Sequence, residues 1–155
     1  SVSIAPFKDN SSIKPVISKE DMINVQFIRN ETFIKGQNIS IEDEFDITTE
    51  KEAVHFLIYL NEQPIGTIRY RQTEKGFKIE RFAILKQYRQ KGLGKEVFVY
   101  LINYLKAKYV PCHIYFSAQK YLIPFYEKLG FEKDGDIFIE AGIEHLYMKK
   151  GLLRN

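Results

Sequence analysis

The sequence predicts an α/β domain of the α+β kind, a mixed central sheet of roughly six or seven strands flanked by helices. Three observations predict it. An apolar strand over residues 77–85 runs through a basic, glycine-bearing turn into an amphipathic helix and then a compact strand at 112–116, which is a βαβ unit. Upstream, 52–60 and 64–71 are strand-like runs joined by the short turn Asn61-Glu62-Gln63. The chain has 155 residues, 45% of them apolar and 14% aromatic, which suits one domain, residues 1–155, with a sizeable core.

The elements follow in order. Residues 13–17 read as a short first strand of edge type, because Pro15 has no N–H to donate to a ladder. Ser18 followed by Asp21 resembles a capping box and opens a helix to about residue 33, with Met22, Val25, Ile28 and Phe33 as its apolar side. Residues 35–49 lack periodicity, contain Gly36 and the acidic cluster Glu42-Asp43-Glu44-Phe45-Asp46, and read as a loop. In the central strand, alternation of period two places Lys78, Glu80, Phe82 and Ile84 on one face. The helix after the turn, ending near residue 108, carries Val97, Phe98, Leu101, Ile102 and Leu105 as one stripe. Residues 119–129 are helical, with Pro124 requiring that the helix begin near Ile123 or be irregular before it, and Gly130 closes it. Residues 131–140 and 143–150 form two last strands around Ala141-Gly142.

Composition excludes several classes. No run of about 18 apolar residues and no charged-then-apolar leader occurs, so neither a membrane span nor a secretory signal is indicated and a cytoplasmic location is expected. The chain opens at Ser1 without methionine; its first residues are read either as an expression remnant or as following a removed initiator, and are given no part in the fold. Cys112 is the only cysteine, which rules out an internal disulfide. A formal charge of +3 with no long basic block gives no ground for nucleic-acid binding.

The turn itself carries chemistry. Gly92 and Gly94 sit where a helix begins, with Arg89, Lys91 and Lys95 around them; unpaired N–H groups, the helix dipole and these cations favour a phosphate. A P-loop is excluded because Glu96 follows Lys95, and a dinucleotide fingerprint because Val97 stands where its third glycine is required. The pattern present is Arg-x-x-Gly-x-Gly, Arg89 to Gly94, directly after Phe82-Ala83-Ile84-Leu85 and well before Phe125-Tyr126-Glu127-Lys128-Leu129-Gly130-Phe131. In this order and spacing the chain resembles the GNAT superfamily of acyl-CoA N-acyltransferases. The wording of residues 28–34, Gln37-Asn38 and 42–46 is similar to that of an uncharacterised bacterial subgroup.

The resemblance implies an acetyl-CoA-dependent N-acetyltransferase that moves an acetyl group to a primary amine of a small molecule or peptide by direct attack, without a metal. The alternative is a non-catalytic acyl-CoA-binding or interaction module of the same fold. It further implies that the main chain of Phe82, Ala83 and Ile84 meets the pantetheine arm and thioester of coenzyme A, and that Arg89, Gln90, Lys91, Gly92, Leu93, Gly94 and Lys95 hold its pyrophosphate. Tyr126 matches a tyrosine that protonates the departing thiolate; otherwise it is a packing tyrosine. Glu80 matches a catalytic-base position; otherwise it pairs with Lys78, Arg69 or Arg71. Where family members have an asparagine on the cofactor, this chain has Ser117-Ala118-Gln119, so Gln119 takes that contact. The sequence leaves the oligomeric state undetermined and allows a homodimer, dimers being common among soluble proteins. His55, His113 and His145 are too scattered for a metal site; His145 edges the acceptor pocket or simply bonds to backbone.

Overall fold

The computed structural model describes residues 11–35, 52–89 and 92–154. One seven-stranded sheet runs in the order β1-β2-β3-β4-β5-β7-β6. Its strands are β1 (Ser11–Pro15), β2 (Val54–Leu60), β3 (Gln63–Thr73), β4 (Gly76–Ile84), β5 (Cys112–Gln119), β6 (Glu132–Glu140) and β7 (Ile143–Leu152). Only β4 and β5 are parallel neighbours; the remaining pairs are antiparallel, so the sheet is mixed as the sequence predicts. Pro15 lies on β1, an edge strand, where a missing donor costs little.

Helix α1 (Lys19–Arg29) starts as expected: Asp21 donates its N–H to Ser18 Oγ at 3.0 Å. The returning bond differs from a capping box, since Asp21 Oδ2 accepts from the Ile17 N–H at 3.2 Å. A π-helical turn, Asn30–Lys35, continues the helix past its predicted end. The acidic cluster at 42–46 and most of the predicted loop lie outside the described residues.

α1 covers one face of β2 to β4, with Val25 and Ile28 packed among Leu57, Ala83 and Leu85. Helix α2 (Leu93–Tyr109) covers the opposite face, burying Val97, Phe98, Leu101 and Leu105 against Phe56, Ile68, Ile79, Ile114 and Phe116. Tyr100 joins that core, whereas the predicted stripe member Ile102 is only partly buried. Helix α3 (Ile123–Lys128) begins after a 3-10 turn at Lys120–Leu122, with Pro124 in its first turn, where a missing N–H is harmless. β5 outruns its predicted end because Ser117, Ala118 and Gln119, weak strand formers, are paired to Tyr147, Leu146 and His145 of β7.

The predicted alternation along β4 fails at one point. Thr67 faces Ala83 but Arg69 faces Glu80, so β4 carries an extra residue there, and Arg81 sits in the left-handed region at φ 53°. Before this bulge Phe77 and Ile79 face α2 and Lys78 and Glu80 face the α1 side; after it Ile84 lies in the α2 core and Ala83 in the α1 cluster. Glu80 therefore lies on the sheet face opposite to Phe82 and Ile84, not with them.

The β3–β4 turn supplies a direct test of packing. Gly76 has φ +128°, and a Cβ there would stand 2.5 Å from the His113 carbonyl oxygen. Gly76→Ala is expected to lower unfolding free energy by about 2–3 kcal/mol in chemical denaturation. A loss below about 0.5 kcal/mol would mean that this turn is not packed as described.

Candidate active site

The bulge stands where two strands part. β4 and β5 are paired only at Phe77↔Ile114 and Lys78↔Tyr115, although β4 runs on to Ile84 and β5 to Gln119. Each remains bonded on its outer side, β4 to β3 through Gly66↔Ile84 and β5 to β7 through Gln119↔His145. The middle of the sheet thus opens as a wedge with backbone edges on both walls. Leu85 N–H donates outward to Ile65 O at 2.8 Å, so the N–H and C=O of Ile84, one residue back, point into the wedge. Arg89 Nε donates to that carbonyl at 2.9 Å, closing the carbonyl's open side. Buried peptide groups need partners, so such an edge suits a ligand that is itself amide-bearing and extended.

At the wide end of the wedge α2 begins. Its N-cap is Gly92 at φ 88°, a left-handed conformation that favours glycine, and it offers no side-chain cap. The first helical bond is Glu96 N–H to Gly92 O at 3.2 Å, which leaves the N–H groups of Leu93, Gly94 and Lys95 without intrahelical partners. Leu93 is buried and anchors the turn, while Lys95 is exposed. A Cβ on Gly94 would meet Phe82 and Phe125 only at 3.9 and 4.0 Å, ordinary contact. Nothing inside the described protein therefore requires glycine at 94; the bare backbone leaves room for something outside it. Gln90 and Lys91 lie outside the described residues.

Phe82, Gly94 and Tyr126 are brought together on the α2 side. Phe98 packs against Phe82 with ring centroids 5.5 Å apart and against Tyr126 at 5.1 Å. Tyr126 also packs on Phe116 at 4.5 Å, Phe125 at 5.1 Å and Phe131 at 6.4 Å, and is 7% exposed. Burial, with a smaller contribution from Tyr121, pushes its phenol up to about 12. A group held so high stays protonated at neutral pH, so the phenol enters any reaction beside it carrying its proton.

Glu80 lies on the other face within a cluster of cations. Its Oε1 accepts from Arg71 Nε at 2.8 Å and Arg69 Nη2 at 3.1 Å, and its Oε2 lies 3.4 Å from Lys78 Nζ. Burial alone would raise its pKa, but the Arg71 hydrogen bond and the charges of Arg69, Lys78 and Arg71 outweigh burial and hold it below the usual carboxylate range. Its lone pairs are engaged, so the geometry fits an ion-paired strand carboxylate better than a free proton acceptor. Gln119, half-buried, ends β5 at the lip of the wedge, in register with His145.

One group near the wedge was not identified from the sequence. Glu140 accepts a hydrogen bond from Ser117 Oγ at 3.1 Å and lies 3.5 Å from His145 Nε2. The only sequence signal was the Ala141-Gly142 turn directly after it, which says that a hairpin tip is there but not what it overhangs.

The comparisons agree with this architecture. Residues 13–152 match the family model described as acetyltransferase (GNAT) domain. The uncharacterized protein YyaT of Bacillus subtilis is 36% identical over 146 residues, covering 93% of this chain and 98% of that protein. The uncharacterized N-acetyltransferase YjcF of the same organism is 34% identical over 144 residues, covering 89% and 99%. A crystal structure of a Lactobacillus plantarum protein shares the fold with a TM-score of 0.83 at 22% identity, covering 94% of this chain and 100% of that one. The fold and the site define an acyltransferase, and the chain belongs to the GNAT acetyltransferase family. Among the described residues, no helix is long and apolar enough to cross a membrane.

The Glu80 cluster yields a prediction with a defined sign. Glu80→Gln removes the carboxylate that Arg69, Arg71 and Lys78 share and is expected to destabilise by about 3 kcal/mol near neutral pH. Because the folded pKa is lowered, this contribution is complete above the unfolded carboxylate value and is lost as pH falls through the folded one. Urea titrations from pH 7 downward should show the wild-type advantage over Glu80→Gln constant to about pH 5 and shrinking below it. An advantage that grows on acidification would contradict the ion-pair assignment.

Proposed function

We propose that the protein transfers the acetyl group of acetyl-CoA to a primary amine by direct attack, the expectation set by the sequence. The observation that carries this reading is the wedge between β4 and β5, with an uncapped helix N-terminus at its wide end and a buried phenol on its α2 side. The pyrophosphate of coenzyme A is taken by the N–H groups of Leu93, Gly94 and Lys95 together with Arg89; Gln90 and Lys91, which the resemblance also assigns to it, lie outside the described residues. The pantetheine arm, which carries two amides, lies along Phe82, Ala83 and Ile84 and meets the Ile84 N–H. Gln119 on the opposite wall contacts the same arm.

The chemistry divides across the sheet. The amine nitrogen approaches from the α1 side and forms a bond to the thioester carbonyl carbon; the carbon–sulfur bond then breaks and its electron pair goes to sulfur. Tyr126, on the other side, supplies a proton to the thiolate; burial keeps that proton on the phenol at neutral pH until the sulfur departs. The lone cysteine does not compete as nucleophile, since Cys112 opens β5 before the paired residues at the closed end of the wedge. Glu80 contributes by fixing the charge of the acceptor side through Arg69, Arg71 and Lys78.

Acetyl-CoA at about 100 times its Kd should raise unfolding free energy by about 2.7 kcal/mol, read as a higher Tm. Gly94→Glu, with room for its Cβ, should keep apo stability within about 0.5 kcal/mol of wild type and abolish that gain by putting a carboxylate in the phosphate seat. A gain retained in Gly94→Glu, or absent from wild type, contradicts the cofactor reading. Tyr126→Phe should lower kcat about 100-fold while changing acetyl-CoA affinity little; an unchanged kcat removes the phenol from the mechanism.

A further inference from the structure

On the sheet face that carries Glu80, α1 covers β2 to β4, and the β5-β7-β6 side carries a separate set of side chains. Tyr115 and Tyr147 lie with ring centroids 6.2 Å apart, and Phe138 stacks on Tyr147 at 5.0 Å and on His145 at 5.9 Å. At the lip of the wedge this aromatic strip ends in the trio Ser117, Glu140 and His145. Glu140 belongs to β6, two strands from Ser117 on β5, a lateral gap of about 9–10 Å, yet it bonds to Ser117 Oγ at 3.1 Å. The end of the β6–β7 hairpin therefore bends back over this face, toward the wedge.

The proton positions in the trio follow from its partners. His145 Nδ1 lies 2.7 Å from the Ile143 carbonyl oxygen, which can only accept, so Nδ1 carries the hydrogen and Nε2 of the neutral ring presents a lone pair. That lone pair is directed at the side where Glu140 Oε2 stands, 3.5 Å away. His145 is buried at 7% exposure, while Glu140 is open to solvent. Glu80 across the wedge faces three cations; Glu140 faces a hydroxyl and an imidazole. Of the two carboxylates, Glu140 is the one whose charge remains available to a cation.

We propose that Ser117, Glu140 and His145 form the acceptor-amine site of the transfer, and that the acceptor is a primary ammonium with an aromatic or apolar body seated on Phe138, Tyr147 and Tyr115. This inference rests on the acetyl-transfer reading above and names the substrate class of that site. Glu140 binds the ammonium, and His145 Nε2 removes one proton from it, giving an imidazolium that Glu140 then neutralises. The freed nitrogen lone pair bonds to the thioester carbon and the thiolate leaves with a proton from Tyr126. The second N–H proton, lost as the amide forms, restores the phenol through solvent, and the imidazolium returns its proton to water.

The test uses two amines of different basicity near neutral pH, with the whole protein and acetyl-CoA. Phenethylamine is protonated there and must lose a proton before attack; hydroxylamine is already neutral. Wild type is expected to acetylate phenethylamine. In His145→Gln the ratio of kcat/KM for phenethylamine to that for hydroxylamine should fall about 100-fold. Glu140→Gln, an exposed position where folding is safe, should raise KM for phenethylamine more than tenfold with a smaller change for hydroxylamine, and both variants should keep the acetyl-CoA-induced rise in Tm. Equal losses with both amines, or none in either variant, overturn the inference. So does a wild-type protein that binds acetyl-CoA yet leaves phenethylamine untouched, a result under which the cofactor reading stands. Absence of acetyl-CoA binding overturns both.

Discussion

The structure depends on a failure of pairing. A sheet is held by exchange of backbone hydrogen bonds, and this one gives up that exchange between its two central parallel strands after two residue pairs. The bulge at Arg81 is the local means: it turns the strand and sets Ala83 and Leu85 on the α1 side and Ile84 on the α2 side. A left-handed arginine costs about 1–2 kcal/mol, and the cost is borne because β3 stays bonded along the outer edge and two helices clamp the faces. What remains is a slot with a strip of main chain on each wall.

The rest of the site is arranged by which side of that slot an element occupies. On the α2 side the buried core around the wedge is apolar and aromatic, and a phenol enclosed there keeps its proton. On the α1 side the sheet carries charge: a carboxylate saturated by Arg69, Arg71 and Lys78 on one wall, and a carboxylate paired only with a hydroxyl and an imidazole on the other. In the proposed reaction, proton donation and amine handling are thereby separated by the thickness of the sheet, and both act on a thioester lying within it.

Much of the fold was legible because its signals are local. Ser18 and Asp21 mark a helix start, Gly92 and Gly94 mark another, and Pro124 with Gly130 bracket a third, each through chemistry confined to a few residues. The strand alternation around Glu80 was misjudged because a bulge leaves no reliable mark when its left-handed residue is arginine and not glycine. The sequence offered Glu80 two roles, and choosing between them needed the cross-strand register that sets Arg69 and Arg71 beside it. Glu140 was invisible for a related reason. Its meeting with Ser117 depends on how a hairpin curls over a sheet, which a sequence separation of 23 does not disclose.

Hydrogen exchange at the Ile84 amide tests the central claim most directly, because that N–H points into the slot and has no strand opposite it. With acetyl-CoA saturating, its exchange should slow at least about tenfold while the amides of β6 keep their rates. An Ile84 amide whose rate is the same with and without bound cofactor would contradict the account, since the arm of coenzyme A would then lie elsewhere.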